Sequence, residues 1–268
     1  MKAFKGLLIK DFIISRSWII SFVLSLTFIY FISFGLSQYY DQPMIFLSLT
    51  MVTYGFAWLC IPMYLFSTFA MEGQTNLWLH NPNGIWKLLL SKIVVGFSYQ
   101  MILLILCLIV SSFAIFISKD HVVLSQITIK QWRTGLFFLC TVITLTSLYL
   151  GIWSIFYWTV FQSMRRHQFL NKIKWPLTIV LFMIITNGLE FIRNLSVYKQ
   201  IADMGTISLK TMDLLDFKIQ NLTDPSKNGS INIEELATIP LMEVFIYLLI
   251  AIFVFSISVR LLERKVEV

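Results

Sequence analysis

Charge is scarce in this chain. Only 13% of its 268 residues are Asp, Glu, Lys or Arg, about half the share of an ordinary soluble domain. A water-soluble fold of this size has too little polar surface here to cover itself. Cysteine is scarce as well. Cys60, Cys107 and Cys140 all lie inside apolar runs, with no CxxC pair and no neighbouring histidine. They read as small hydrophobes rather than as a disulfide framework or a metal site. His80, His121 and His167 fall in three separate loops, and HExxH is absent. Metal hydrolysis and an intramembrane hydrolase are therefore poor readings. No GxxxxGK[ST] run occurs either, so any ATP used must be bound by another subunit. The chain offers no catalytic residue and no metal ligand set, and is not expected to be an enzyme by itself.

What the sequence has is apolar bulk. Hydrophobic residues make up 57% of the chain, with 24 Phe, 10 Tyr and 8 Trp, and the mean hydropathy is +0.78. A lipid solvent reconciles that composition with a stable fold. A hydrocarbon core about 30 Å thick needs roughly 20 helical residues per crossing. Six runs qualify: 18–36, 44–70, 93–117, 134–161, 175–191 and 239–262. The expected fold is all-α, a single polytopic transmembrane domain over 1–268. Pro62 should kink or divide the second span. The first run follows Lys2, Lys5, Lys10 and Arg16 but has no small-residue cleavage pattern after it. It reads as a retained span rather than a signal peptide.

Six spans put both termini on one side, with loops 71–92 and 162–174. That side carries thirteen Lys and Arg against four Asp and Glu, whereas the far side, 37–43, 118–133 and 194–238, carries seven against eight. The positive-inside rule then places both termini in the cytoplasm. The net charge of +7 is absorbed by topology, with no need for nucleic acid.

Three segments outside the spans carry pattern. In 1–17, Phe4, Leu8 and Phe12 share a face, flanked by Leu7 and Ile13, and are broken by Lys5, Lys10, Asp11 and Arg16. This predicts an amphipathic interfacial helix on the inner leaflet. In 71–92, Asn81-Pro82-Asn83-Gly84 is a turn between Leu77-Trp78-Leu79 and Ile85-Trp86. Those flanks suit either the headgroup layer or a cytoplasmic partner. Glu72, just past the second span, could face the bases of 1–17 or bind that partner. In 194–238, apolar residues recur among polar ones and Ser230 or Asn232 could cap a short helix, so a small extracellular helical segment is expected. Glu190 and Arg193, three apart, could pair. Glu243, early in the sixth span, could join them as a gate or ion pair, or all three could lie in the outer headgroups.

Taken together, the amphipathic start, six spans, the loop Glu72-Gly73-Gln74-Thr75-Asn76-Leu77-Trp78-Leu79-His80-Asn81-Pro82 followed by Leu88-Leu89-Leu90-Ser91-Lys92, and the outer segment before the last span resemble the ABC-2 type permease subunits of bacterial ABC exporters. The His80-Asn81-Pro82 form is similar to small Firmicute peptide exporters of the phenol-soluble modulin exporter type. The resemblance implies a bacterial cell-membrane permease that exports an amphiphile such as a peptide, drug or lipid. It implies a cytoplasmic ABC ATPase dimer as partner, which would hold ATP and Mg, and a second identical or homologous permease beside membrane lipids. It further implies that Glu72, Thr75, Leu77, Trp78, His80, Pro82 and Trp86 couple to that ATPase. Two other classes stay open: an ATPase-independent immunity or assembly factor, and an ion-coupled carrier, although the spans lack repeated midplane charges.

The orientation is checked by labelling. Cysteines introduced at Ser37, His121 and Lys227 should react with an impermeant maleimide on intact cells, and those at Asn83 and Lys172 should react only after permeabilisation. The opposite pattern would invert the topology.

Overall fold

A computed structural model of the chain describes residues 2–75, 84–118, 129–164, 172–196, 198–199, 206–208 and 238–266. Among these are seven long helices: α1 (Lys2–Tyr39), α2 (Pro43–Ala57), α3 (Cys60–Thr75), α4 (Ile85–Ile117), α5 (Ile129–Met164), α6 (Lys174–Asn194) and α7 (Leu241–Val266). Five of them, α1, α4, α5, α6 and α7, are long and apolar enough to cross a membrane, and α2 with α3 makes a sixth span bent by 49°. The chain is an all-α, multi-pass membrane protein.

Segment 1–17 is helical, as its pattern predicts, but it is not a separate interfacial helix. α1 runs unbroken for 38 residues, about 57 Å at 1.5 Å per residue. Nothing between Gly6 and Gly35 interrupts it, because no proline or glycine lies between them. The face that packs also differs. Leu7, Asp11, Ser15 and Ile19 are buried, while Phe12 and Ile13 are exposed. The i, i+4 stripe turned inward is therefore partly polar, and the apolar stripe looks outward.

The α1–α2 turn is made by the backbone. Asp41 adopts φ 53°, the N–H of Asp41 donates to the Gln38 carbonyl, and that of Gln42 to the Ser37 carbonyl. This pair of bonds closes a helix end in a Schellman turn. Pro43 then starts α2, where a missing N–H costs nothing.

The second span breaks at Trp58 and Leu59. Pro62 has no N–H for the Trp58 carbonyl, so the ladder cannot run through. The freed Ile61 N–H donates instead to the Ser147 hydroxyl of α5, at 3.3 Å. Two glycines let α3 sit close to its neighbours. A Cβ on Gly151 of α5 would stand 2.7 Å from Ile61, and one on Gly96 of α4 would stand 2.9 Å from the Tyr64 ring.

α3 thus lies between α4 and α5, α1 and α2 pack against α4, and α7 against α5. The core runs from Ile61, Tyr64, Phe69, Tyr99 and Val259, through Leu26, Tyr30, Tyr54, Leu103 and Ile143, to Phe46, Leu47 and Ala114. Hydroxyls stitch the middle. Tyr30 lies 2.7 Å from Thr53, and Tyr54 lies 3.1 Å from Ser111. α6 leans chiefly on α5 and buries no residue.

Of the expected extracellular helical segment, the described residues form a two-stranded antiparallel ladder, β1 (Thr206–Ser208) on β2 (Thr238–Pro240), with Ile207 opposite Ile239. The capped helix expected near Ser230 lies outside the described residues. The ladder runs straight into α7, so the last span begins at Leu241 rather than at 239.

The Ile61 notch is testable. Gly151→Leu should lower stability in detergent by about 1–3 kcal/mol, the usual cost of overpacking. Gly135→Leu on the same helix, where a Cβ meets nothing within 4 Å, should stay within about 0.5 kcal/mol of wild type. Thermal unfolding of the purified protein reads both.

Candidate functional site: a buried ionic clasp beneath the α3–α4 loop

Among the described residues of the expected loop 71–92, all but Gly84 are helical. α3 continues to Thr75 and α4 begins at Ile85, after Gly84 at φ +75°, a conformation glycine takes without strain. Leu77, Trp78, His80 and Pro82 lie outside the described residues. Thr75 ends α3. Glu72 and Trp86 stand at the two bases of the loop.

Those bases are held by buried charge. Lys92, counted from sequence among the inner-side bases, is 1% exposed, and Asp11 is 3% exposed. The Lys92 Nζ lies 3.0 Å from Glu72 Oε1 and 3.3 Å from Asp11 Oδ1. Lys10, on the outer side of the cluster, reaches the same Glu72 oxygen at 3.3 Å. The Ser91 hydroxyl donates to the other Asp11 oxygen at 2.6 Å. One turn on, Ser15 donates to the Asp11 backbone carbonyl at 2.6 Å and lies 2.8 Å from the Tyr99 hydroxyl. Two acids and two bases from α1, α3 and α4 therefore neutralise one another.

Sequence reading missed most of this clasp. It considered Glu72 against the bases of 1–17 and counted Asp11 and Lys92 among the inner-side charges without giving either a partner. The signal was there in spacing: Leu7, Asp11 and Ser15 recur every fourth residue, and Ser91-Lys92 abuts an apolar run. No pattern in one chain says that a stripe carrying an acid faces inward until the base that neutralises it is placed opposite.

Aromatic rings extend the clasp in two directions. Lys92 Nζ lies 5.9 Å from the Phe69 ring centre, and Phe69 stacks on Trp158 of α5 at 4.3 Å and 15°. Trp86 meets Phe255 of α7 edge-on at 4.9 Å. Phe69 and Trp158 also form part of the wall of a large cleft of about 830 Å³ between α3, α5 and α6, which Trp153, Tyr157 and Phe182 line further along.

At the opposite end of the bundle, Arg193 pairs with Glu243 at 3.2 Å, and the Tyr247 hydroxyl donates to the same carboxylate oxygen at 3.4 Å. Glu190 is exposed, and the Arg193 partner is across the helix pair rather than three residues back. Burial pushes the Tyr198 phenol above its usual range, and the Glu243 charge adds to that. Glu243 also sits in the first turn of α7, where the helix dipole favours an acid. No group of three His, Cys, Asp or Glu that could hold a metal ion occurs among the described residues.

No family model matches the chain, and no solved structure matches it. It is similar to a Bacillus subtilis (strain 168) protein described as "Uncharacterized protein YhcE", with 26% identity over 185 residues, 68% of this chain and 70% of that one.

Breaking the clasp from one side should be costly. Lys92→Met leaves two buried carboxylates without their shared partner, which costs about 3–5 kcal/mol. Replacing all three groups together, Lys92→Met with Asp11→Leu and Glu72→Met, should recover most of that loss. Thermal unfolding of the two variants checks the order. A triple variant no more stable than Lys92→Met would show that the charges do not act as a unit.

Proposed function

We propose that this chain is the membrane permease subunit of an ATP-driven exporter of the ABC-2 type, moving an amphiphilic substrate such as a peptide, drug or lipid. On this reading the clasp end is cytoplasmic, in keeping with thirteen bases against four acids on that side and the positive-inside rule. A cytoplasmic ATPase dimer binds ATP and Mg and docks on the loop 76–83. A second permease, identical or homologous, completes the pore.

The observation that supports this most is the clasp. The segment 76–83, with Leu77, Trp78 and His80, joins two helices whose facing ends are locked together by Glu72, Lys92 and Asp11. A load on the loop cannot be absorbed by sliding α3 past α4 without leaving a buried charge unpaired, which is strongly unfavourable. The load passes instead to α1, to α7 through Trp86 and Phe255, and to the cleft wall through Phe69 and Trp158. That is the mechanical property a coupling loop requires. Residues of the loop would supply grip, and the clasp would supply stiffness.

Gentle purification from native membranes should recover an ATPase with the chain. Trp78→Ala should reduce that recovery roughly tenfold, as loss of an aromatic interface anchor does. Glu72→Gln should leave the ATPase bound but lower ATP-dependent substrate uptake into inside-out vesicles. Recovery without any ATPase, together with uptake that follows a proton gradient and depends on Glu243, would replace this reading with an ion-coupled carrier.

A further inference from the structure

The cleft between α3, α5 and α6 has walls of one kind and an end of another. Its volume is about 830 Å³, within the range of sites that enclose a small ligand. Along its length it is faced by Phe66, Trp153, Tyr157, Ile179 and Phe182. The serine and threonine hydroxyls among its lining are already committed within their own helices: Ser154 donates to the Leu150 carbonyl, Thr178 to that of Lys174, and Thr186 to that of Phe182. Those three side chains have no proton left to donate to a ligand, and the aromatic and aliphatic faces around them favour an apolar body.

The two ends differ in charge. Toward one, a turn beyond the lining residue Leu189, Arg193 is already paired with Glu243. At the other, the Lys174 ammonium lies 4.9 Å from the ring centre of Phe161, and Phe161 meets Trp175 edge-on at 5.0 Å. Phe161, Gln162 and Trp175 all line the cleft. Lys174 is half-buried, and no carboxylate lies within ion-pairing distance of it among the described residues. An apolar slot with a cation near its mouth that no described carboxylate pairs is complementary to a molecule with a hydrocarbon tail and an anionic head.

We propose that this cleft is a binding site for one anionic membrane phospholipid, its acyl part between α5 and α6 and its phosphate at Lys174. The helix that closes the slot, α6, buries no residue of its own, so the lipid supplies packing that the protein leaves unmade on that side. The site stands whether or not an ATPase drives the chain, and its test uses none.

The purified full-length chain is incubated with phosphatidylglycerol or phosphatidylcholine of matched acyl chains, and retained lipid is counted by native mass spectrometry. One phosphatidylglycerol per chain should be kept in preference to phosphatidylcholine. Lys174→Gln should reduce phosphatidylglycerol retention roughly fivefold, the weight of one basic residue at an anionic lipid surface, and leave phosphatidylcholine unchanged. Lys174→Arg should preserve the preference. Thr178→Trp, which fills the slot from a helix with no buried residue, should abolish retention of both without changing helix content. Equal retention of the two lipids by the wild type would overturn the charged end, and retention unaffected by Thr178→Trp would overturn the slot.

Discussion

Lys92 holds its ammonium where water does not reach, and the arrangement of this end of the molecule follows from that. A buried cation is tolerable only when opposing charge lies within bonding distance and the remaining lone pairs are occupied. Asp11 comes from α1 and Glu72 from α3, so both helices must stand at the height of the second turn of α4. Ser91 fills the second oxygen of Asp11. The constraint fits α1 remaining one continuous helix beyond the apolar run: its first four turns are anchored to the bundle by a charge they cannot abandon.

A second constraint works in the middle of the bundle. Pro62 interrupts the second span, and Ser147 accepts the N–H that the interruption leaves over. Gly96 and Gly151 then admit Ile61 and Tyr64 between α4 and α5. With that interval filled by α3, α6 is held outside it, chiefly against α5, and a slot between them remains open. The aromatic pair Phe69 and Trp158 joins the two regions. A displacement of the clasp would therefore be felt at the slot's wall without any contact between the loop and a ligand.

Chemically the two ends of the molecule do different things with charge. At the clasp, four charges cancel in a nearly dry space, so they set register rather than attract ligands. At the far end, Arg193 is largely exposed and its pair with Glu243 is of the screened surface kind that contributes little stability. Lys174 is the intermediate case, partly sheltered by rings and without a carboxylate partner among the described residues. Among the described residues, it is there that a cation meets a slot with no carboxylate to neutralise it.

Amino-acid order alone determined that the chain crosses a membrane several times, where most crossings fall, and that Pro62 kinks or divides the second. Run length, period and proline chemistry are local properties, so they survive translation from one dimension to three. Glu72 was also within reach of sequence reasoning, because it sits beside a basic helix. The tertiary structure decided which stripe of α1 turns inward, that Lys92 and Asp11 are partners rather than solvated charges, that Glu243 rather than Glu190 takes Arg193, and that α6 leaves a slot. Each of these depends on which helix stands opposite, over separations of 50 to 81 residues, and a charge has no orientation in sequence until its counter-charge has a position in space.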